Sequence, residues 1–82
     1  MRIVKAVVIE PLVLEILFED SARLIVRFLP ERLHGLQLKL LDPEEFRRAG
    51  LSMGTVVWPC GVVLDAQLAR IKADEGRVWA PL

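Results

Sequence analysis

Cys60 is the side chain of this sequence best suited to chemistry. It lies in the segment Trp58-Pro59-Cys60-Gly61, where a turn beside a glycine could expose a reactive thiol. A catalytic thiol needs a base to remove its proton, and the one histidine, His34, could meet Cys60 only through the fold. Because a lone turn thiol is more often structural, we predict no catalytic role for Cys60, and none for the loop residue His34.

The acidic residues around Pro43 have a simpler explanation than catalysis. Asp42, Glu44 and Glu45 resemble a paired-carboxylate site, but an acid before a proline and two acids after it are typical of a helix N-terminus. Arg47-Arg48 would then lie at the C-terminal end of the same short helix, where positive charge is favourable. One cysteine and one histidine supply no zinc site, and no phosphate-binding glycine loop occurs. We predict no enzyme activity, no cofactor and no metal.

The two tryptophans and the last residue are the predicted partner-binding residues. Trp58 is predicted chiefly as a core residue that packs the sheet against a helix, and alternatively as a surface anchor. Trp79 lies in the tail RVWAPL, where the sequence is equally compatible with burial and exposure. Trp58, Trp79 and Leu82 are therefore the predicted contacts to a partner.

Three N-terminal segments must supply the sheet that positions these residues. IVKAVVI (residues 3–9) is rich in β-branched residues, and it is joined through Glu10-Pro11 to the next segment. LVLEILFE (12–19) and ARLIVRFL (22–29) alternate with period two, as half-buried antiparallel strands do. Short links between three sequential strands predict a meander.

The loop between the second and third strands sets their register. Asp20-Ser21 is a turn pair, and a two-residue loop there would mix the polar and apolar faces. We therefore predict a three-residue loop over 20–22, which pairs Glu19 with Arg23 and Glu15 with Arg27.

The rest of the chain predicts two helices and short strands. Residues 30–35 are predicted as a loop or a single helical turn, and LQLKLL (36–41) as a possible short edge strand. A short helix is predicted over about 43–49, ended by Gly50. TVVW (55–58) and GVVL (61–64) are predicted as a small hairpin, or as a strand, a turn and an extended exit.

A C-terminal helix is predicted over about 65–75, with Gly76 as its cap. Leu64, Leu68 and Ile71 form one apolar line along it, with Ala69 and Ala73 beside that line. The fold class is therefore α+β: an antiparallel β-meander of three N-terminal strands plus one or two short later strands, packed with the two helices.

The length, composition and charge of the chain limit the classes of protein to which it can belong. Eighty-two residues predict a single domain (1–82), and 54% hydrophobic residues exclude intrinsic disorder. Eleven basic and eleven acidic residues give no net charge, which argues against nucleic-acid binding by this chain alone. The longest uncharged run, residues 49–64, is too short to cross a membrane, and no secretory signal is evident. With one unpaired cysteine, these features predict a cytoplasmic protein with hydrophobic surface for self-association.

The motifs from Asp42 onward resemble the small bacterial family called domain of unknown function 2442. The matching pieces are Leu41-Asp42 followed by Phe46, then Ser52-Met53-Gly54, then the turn Trp58, Pro59, Cys60 and Gly61. Cys60 replaces the family's asparagine, Val63 its acid and Ser21 its hairpin glycine. The resemblance implies an α+β domain on a β-meander and no known activity. It also implies a gene often found beside that of a second small protein, as in a toxin–antitoxin pair.

The leading functional prediction is a non-catalytic interaction module, for which the resemblance implies an accessory or antitoxin-like role. Its partner would be the neighbour-encoded protein or a second copy, which would bind a free strand edge together with Trp79 or Leu82. One alternative is a transcription-regulatory component that binds DNA only in complex with a partner. Another is a small ligand-binding protein.

Overall fold

A computed structural model describes residues 1–81. Its elements in chain order are β1 (Ile3–Glu10), β2 (Val13–Phe18), β3 (Arg23–Arg27), two 3-10 helices (Pro30–Arg32 and Gly35–Leu41), α1 (Pro43–Arg47), β4 (Gly50–Ser52), β5 (Thr55–Val57), α2 (Ala66–Glu75) and β6 (Val78–Trp79). The main sheet has the order β1-β2-β3-β6, and β4 and β5 form a separate hairpin. The α+β prediction is confirmed. Three shorter strands, β4, β5 and β6, follow the N-terminal three, which is more than the one or two that were predicted.

β2 and β3 pair two residues out of the predicted register. Glu15 lies opposite Ile25 rather than Arg27, and Arg23 does not pair with Glu19. Both predicted cross-strand pairs are therefore wrong. Because the shift is an even number of residues, every side chain stays on its predicted face. Glu15 and Arg23 still approach to 3.8 Å along a diagonal of the exposed face.

The turn between β2 and β3 explains this register. Ser21 adopts a left-handed backbone (φ 73°), which closes a three-residue loop over 19–21. The Asp20 side chain accepts a hydrogen bond from the Ala22 N–H at 3.1 Å, and the Phe18 N–H donates to the Ala22 carbonyl oxygen at 2.8 Å. The loop therefore begins one residue earlier than the turn pair indicated.

The segment after β3 is helical. A single turn at Pro30–Arg32 confirms one of the two predicted alternatives, whereas the edge strand predicted in LQLKLL is wrong, because Gly35–Leu41 forms a 3-10 helix. Gly35 enters it with a φ of +58°, a conformation that breaks an extended chain. Leu40 points into the core, while the other leucines of this helix are largely exposed.

α1 begins as predicted and ends early. The Asp42 side chain accepts a hydrogen bond from the Glu44 N–H at 3.0 Å, and Pro43 occupies the first helical position. Phe46 is buried against the core. The helix stops at Arg47 because the chain turns into the unpredicted strand β4, in which Gly50 pairs with Val57.

α2 matches its predicted range, and it packs through its small residues. The Asp65 side chain caps it by accepting from the Leu68 N–H at 3.0 Å, and Gly76 follows its last turn. Ala69 is fully buried, whereas Leu68 and Ile71 remain 40% and 55% exposed. The predicted apolar line is thus on the outside of the helix beyond Leu64, because close packing on the sheet favours alanine.

The core fills the space between one face of the sheet and the helices. Phe28, Phe46 and Trp58 form its aromatic centre, with ring centroids 5.6–5.9 Å apart. The other fully buried large side chains are Phe18, Leu14, Ile16, Leu24, Leu40, Val26 and Val56. Within residues 1–81, no helix has the length and apolar character needed to cross a lipid bilayer.

Candidate partner-binding cleft

Trp58 is built into the core. Its side chain is 3% exposed, and its indole Nε1–H donates to the Phe46 carbonyl oxygen at 3.0 Å. The ring meets Phe28 edge-on at 5.8 Å between centroids. This position fits the core interpretation, since a buried indole has no free surface to offer a partner.

The turn after Trp58 is held by α1. The Cys60 N–H donates to a carboxylate oxygen of Glu45 at 2.8 Å, and the Glu45 side chain is only 14% exposed. Gly61 has a φ of +104°, and a Cβ there would lie 3.1 Å from a methyl group of Leu36. The acid predicted to serve the helix N-terminus therefore also anchors this turn, a tertiary contact that the spacing did not reveal.

The structure does not assemble a catalytic site from Cys60 and His34. The Cys60 thiol is free and partly buried, and none of the hydrogen bonds found in residues 1–81 joins it to His34. The His34 Nδ1 instead lies 3.3 Å from the Arg32 carbonyl oxygen, and the His34 N–H donates to Gln37 Oε1 at 3.3 Å. In the described part of the chain, no cluster of three or more His, Cys, Asp or Glu side chains could hold a metal ion.

Trp79 occupies a different environment from Trp58. It lies on β6, an unpredicted strand that pairs parallel to β3 with Trp79 opposite Val26. The Ile25 N–H donates to the Arg77 carbonyl oxygen at 2.8 Å, which aligns the start of this tail with the sheet. Trp79 is half-buried and packs against the core, so part of its side chain remains accessible. Leu82 lies outside the described residues.

A cleft of about 180 Å³ opens beside Trp79. Its accessible rim carries Val63 and Leu68, which are 60% and 40% exposed. Most of the lining is apolar, and within residues 1–81 the only ionisable side chain in it is that of the helix cap Asp65. Among the described residues, the lining consists of Phe28, Gln37, Val62, Val63, Leu64, Asp65, Leu68, Trp79 and Pro81.

The extended exit from the turn forms one wall of this cleft. Val63 bridges to Val57, and the Leu64 N–H donates to the Val56 carbonyl oxygen at 2.9 Å. The Thr55 hydroxyl donates to the Leu64 carbonyl oxygen. These bonds hold the wall in place without a partner. The antiparallel pairing on both sides of the turn matches the small hairpin, one of the two predicted alternatives.

An ion-pair network fixes α2, which forms the opposite wall. Arg70 donates to Asp20 at 2.6 Å and to Asp74 at 2.7 Å, and its guanidinium lies 5.8 Å from the centre of the Phe18 ring. The hydrogen bonds from Arg70 hold the pKa of the Asp20 carboxyl below its ordinary value. The same hydrogen bonds raise the pKa of Arg70. The helix is thus joined to the β2–β3 turn at the far end of the sheet.

A larger recess of about 580 Å³ lies between β3 and the end of α2. Ser21, Arg23, Gly76 and Arg77 in its lining are exposed. It is a surface groove with a charged rim, whereas small-molecule sites enclose most of their ligand.

Comparison with known proteins adds no relative: no family model, curated protein or solved structure matches the chain. The Trp79 cleft is consequently identified from its own geometry. The tail composition indicated Trp79 as a candidate, but Val63 and Leu68 were not predicted as site residues. The signal available for Leu68 was its place in the apolar line of the helix.

Proposed function

We propose that this chain is a non-catalytic protein-interaction module whose partner inserts an apolar side chain into the Trp79 cleft. The observation that carries the proposal is a half-buried tryptophan beside a preformed apolar recess, with Val63 and Leu68 exposed on its rim. Tryptophans in desolvated pockets dominate the energetics of many protein interfaces. A preformed recess increases affinity because few side chains lose conformational freedom on binding.

The size of the cleft favours a side chain over a small molecule. Ligand pockets usually enclose about 300–1,000 Å³, and this cleft has about 180 Å³. The polar groups of the cleft also fit an apolar occupant. Its carboxylate, Asp65, already has a hydrogen-bond partner in the chain, the Leu68 N–H at the start of α2.

The family resemblance suggests which protein the partner is. We propose that the chain belongs to the domain of unknown function 2442 family, acts in the cytoplasm, and binds the small protein encoded beside its gene. It would then be the accessory or antitoxin-like member of that gene pair. DNA binding would belong to the complex, because this chain has no net charge of its own.

The groove between β3 and α2 supports the alternative of a small ligand-binding protein. Its volume of about 580 Å³ lies in the range of ligand sites, and Arg23 and Arg77 could face an anion. Its exposed rim argues for weak binding, so the interaction module remains the preferred function.

The test compares two matched substitutions on α2. Leu68→Asp places a charge on the cleft rim, while Ile71→Asp places the same charge one turn further along the helix, outside the cleft lining. We expect Leu68→Asp to weaken binding of the neighbour-encoded protein at least tenfold in titration calorimetry, and Ile71→Asp to leave it within about twofold. Equal effects of the two variants, or no binding by the unsubstituted chain, would refute the proposal.

A further inference from the structure

We propose that two copies of this chain associate edge to edge through β1, about a two-fold axis at Val7, so that their sheets become continuous. β1 is the first strand in the order of the main sheet and has β2 as its one neighbour there. The Trp79 cleft lies beside β6 at the other end of the same order. The dimer is therefore independent of the proposed function.

The hydrogen bonds between β2 and β3 define which residues of β2 face β1. The Phe18 N–H donates to the Ala22 carbonyl oxygen, and the Phe28 N–H to the Leu12 carbonyl oxygen, both at 2.8 Å. Hydrogen-bonded pairs alternate along an antiparallel ladder. Even-numbered residues of β2 are thus bonded to β3, and odd-numbered ones, including Glu15, are bonded to β1.

This alternation leaves outward main-chain groups on β1. Val7 lies opposite Glu15, so its N–H and C=O point toward β2. The N–H and C=O groups of Ala6 and Val8 point the other way, where the described residues supply no further strand of the main sheet. In a dimer centred on Val7, Ala6 of each copy lies opposite Val8 of the other, and the two exchange both hydrogen bonds.

The available edge is long enough for such a pairing. The hairpin of β4 and β5 packs against β1, and one main-chain hydrogen bond joins the two, in which the Ile3 N–H donates to the Gly54 carbonyl oxygen at 2.8 Å. β1 continues from Val4 to Glu10 beyond that hydrogen bond, which exceeds the usual strand length of about five residues.

The side chains of β1 are unusually apolar for an open edge. Val4, Val7 and Ile9 are 49%, 44% and 54% exposed. In proteins that remain monomeric, edge strands are normally protected from pairing with another molecule by charged residues, proline or a covering loop. A second copy would cover these side chains at the same time as it satisfies the main chain.

The charges of β1 are complementary to those of a second copy in this one register. Val8 lies opposite Leu14 and Glu10 opposite Val13, so Ile9 is an extra residue in a bulge. Glu10 consequently lies on the same face as Val7 and Lys5. An axis at Val7 places Lys5 of each copy opposite Glu10 of the other, whereas an axis at Lys5 would oppose like charges.

Two single charge reversals and their mixture test the dimer. Lys5→Glu and Glu10→Lys each turn both attractive pairs into repulsive ones. We expect sedimentation equilibrium to show a dimer for the unsubstituted chain. For each variant alone, the dissociation constant of the dimer should rise roughly tenfold or more. In an equimolar mixture of the two variants every acidic position faces a basic one, so dimerisation should return. Recovery on mixing would also demonstrate that both variants are folded.

Three outcomes would overturn the proposal. The first is an unsubstituted chain that stays monomeric up to about 0.5 mM. The second is a dimer that both single variants form unchanged, which would place the contact on another face, such as the exposed leucines of the 3-10 helix. The third is failure of the mixture to associate. Trp79→Ala is the control for the cleft: it should leave the dimer intact even where it abolishes binding of the neighbour-encoded protein.

Discussion

Replacing Trp58 by alanine should remove a large share of the stability of this small domain. The side chain is 3% exposed, contacts Phe28 and Phe46, and donates to a main-chain carbonyl oxygen at 3.0 Å. Its loss would leave a cavity at the junction of the sheet, α1 and the β4–β5 hairpin. Trp79→Ala is the natural comparison, because it removes the same atoms from a half-buried position.

The expected magnitude follows from burial. Truncating a buried tryptophan costs about 3–5 kcal/mol, and a chain of 82 residues has a free energy of unfolding of roughly 4–12 kcal/mol. Trp58→Phe keeps one aromatic ring and loses a hydrogen bond worth about 1 kcal/mol. The Phe46 carbonyl oxygen is not orphaned by that change, because it still accepts from the Ala49 N–H at 3.2 Å. Trp58→Phe should therefore cost about 1–2 kcal/mol.

Urea unfolding followed by far-UV circular dichroism measures these differences without relying on tryptophan fluorescence. We expect Trp58→Ala to be the most destabilised of the three variants, with Trp58→Phe losing about 1–2 kcal/mol and Trp79→Ala about 1–3 kcal/mol. A loss below about 1 kcal/mol for Trp58→Ala, or a larger loss for Trp79→Ala, would refute the division of the two tryptophans into core and anchor.

Three further predictions concern other parts of the fold. Because Arg70 lowers the folded-state pKa of Asp20, this carboxylate should stabilise the fold above an ordinary aspartate pKa, and the contribution should vanish as pH falls through the lower folded value. Asp20→Asn should abolish that part of the pH dependence in thermal melts; an unchanged profile would contradict it. Gly54→Ala should destabilise more than Gly35→Ala in the same melts, because both glycines have positive φ but a Cβ at Gly54 would meet a neighbouring side chain at 2.9 Å; equal losses would count against the close contact. Cys60 should react with a thiol reagent no faster than a free peptide thiol, and faster labelling would reopen a chemical role for it.

The sequence predicted the elements best where one physical signal dominated. Alternation identified β2 and β3 and their buried faces, and the capping pattern at Asp42 located the start of α1. The register was wrong because it depended on a single backbone angle at Ser21, and a serine in that conformation is uncommon. The strand predicted in LQLKLL failed because its alternation had no neighbouring strand to pair with.

The Trp79 cleft, too, was predictable from the sequence only in part. Trp79 was identifiable as a large apolar side chain near the end of the chain, but the cleft beside it is made by four separate segments. The exposure of Leu68 could not be predicted, because a helix with both leucine and alanine faces can pack through either one. Close approach of α2 to the sheet selected the alanine face and left Leu68 on the rim.

By itself, the sequence determined the fold class, the approximate bounds of both α helices and the faces of β2 and β3. Those properties depend on periodicity and capping, which act over a few neighbouring residues. Tertiary structure decided the register, the parallel strand β6, the Glu45 contact to the Cys60 turn and the open edge of β1. Each of these depends on which distant segments meet, and that is governed by the packing of the whole core rather than by any local pattern.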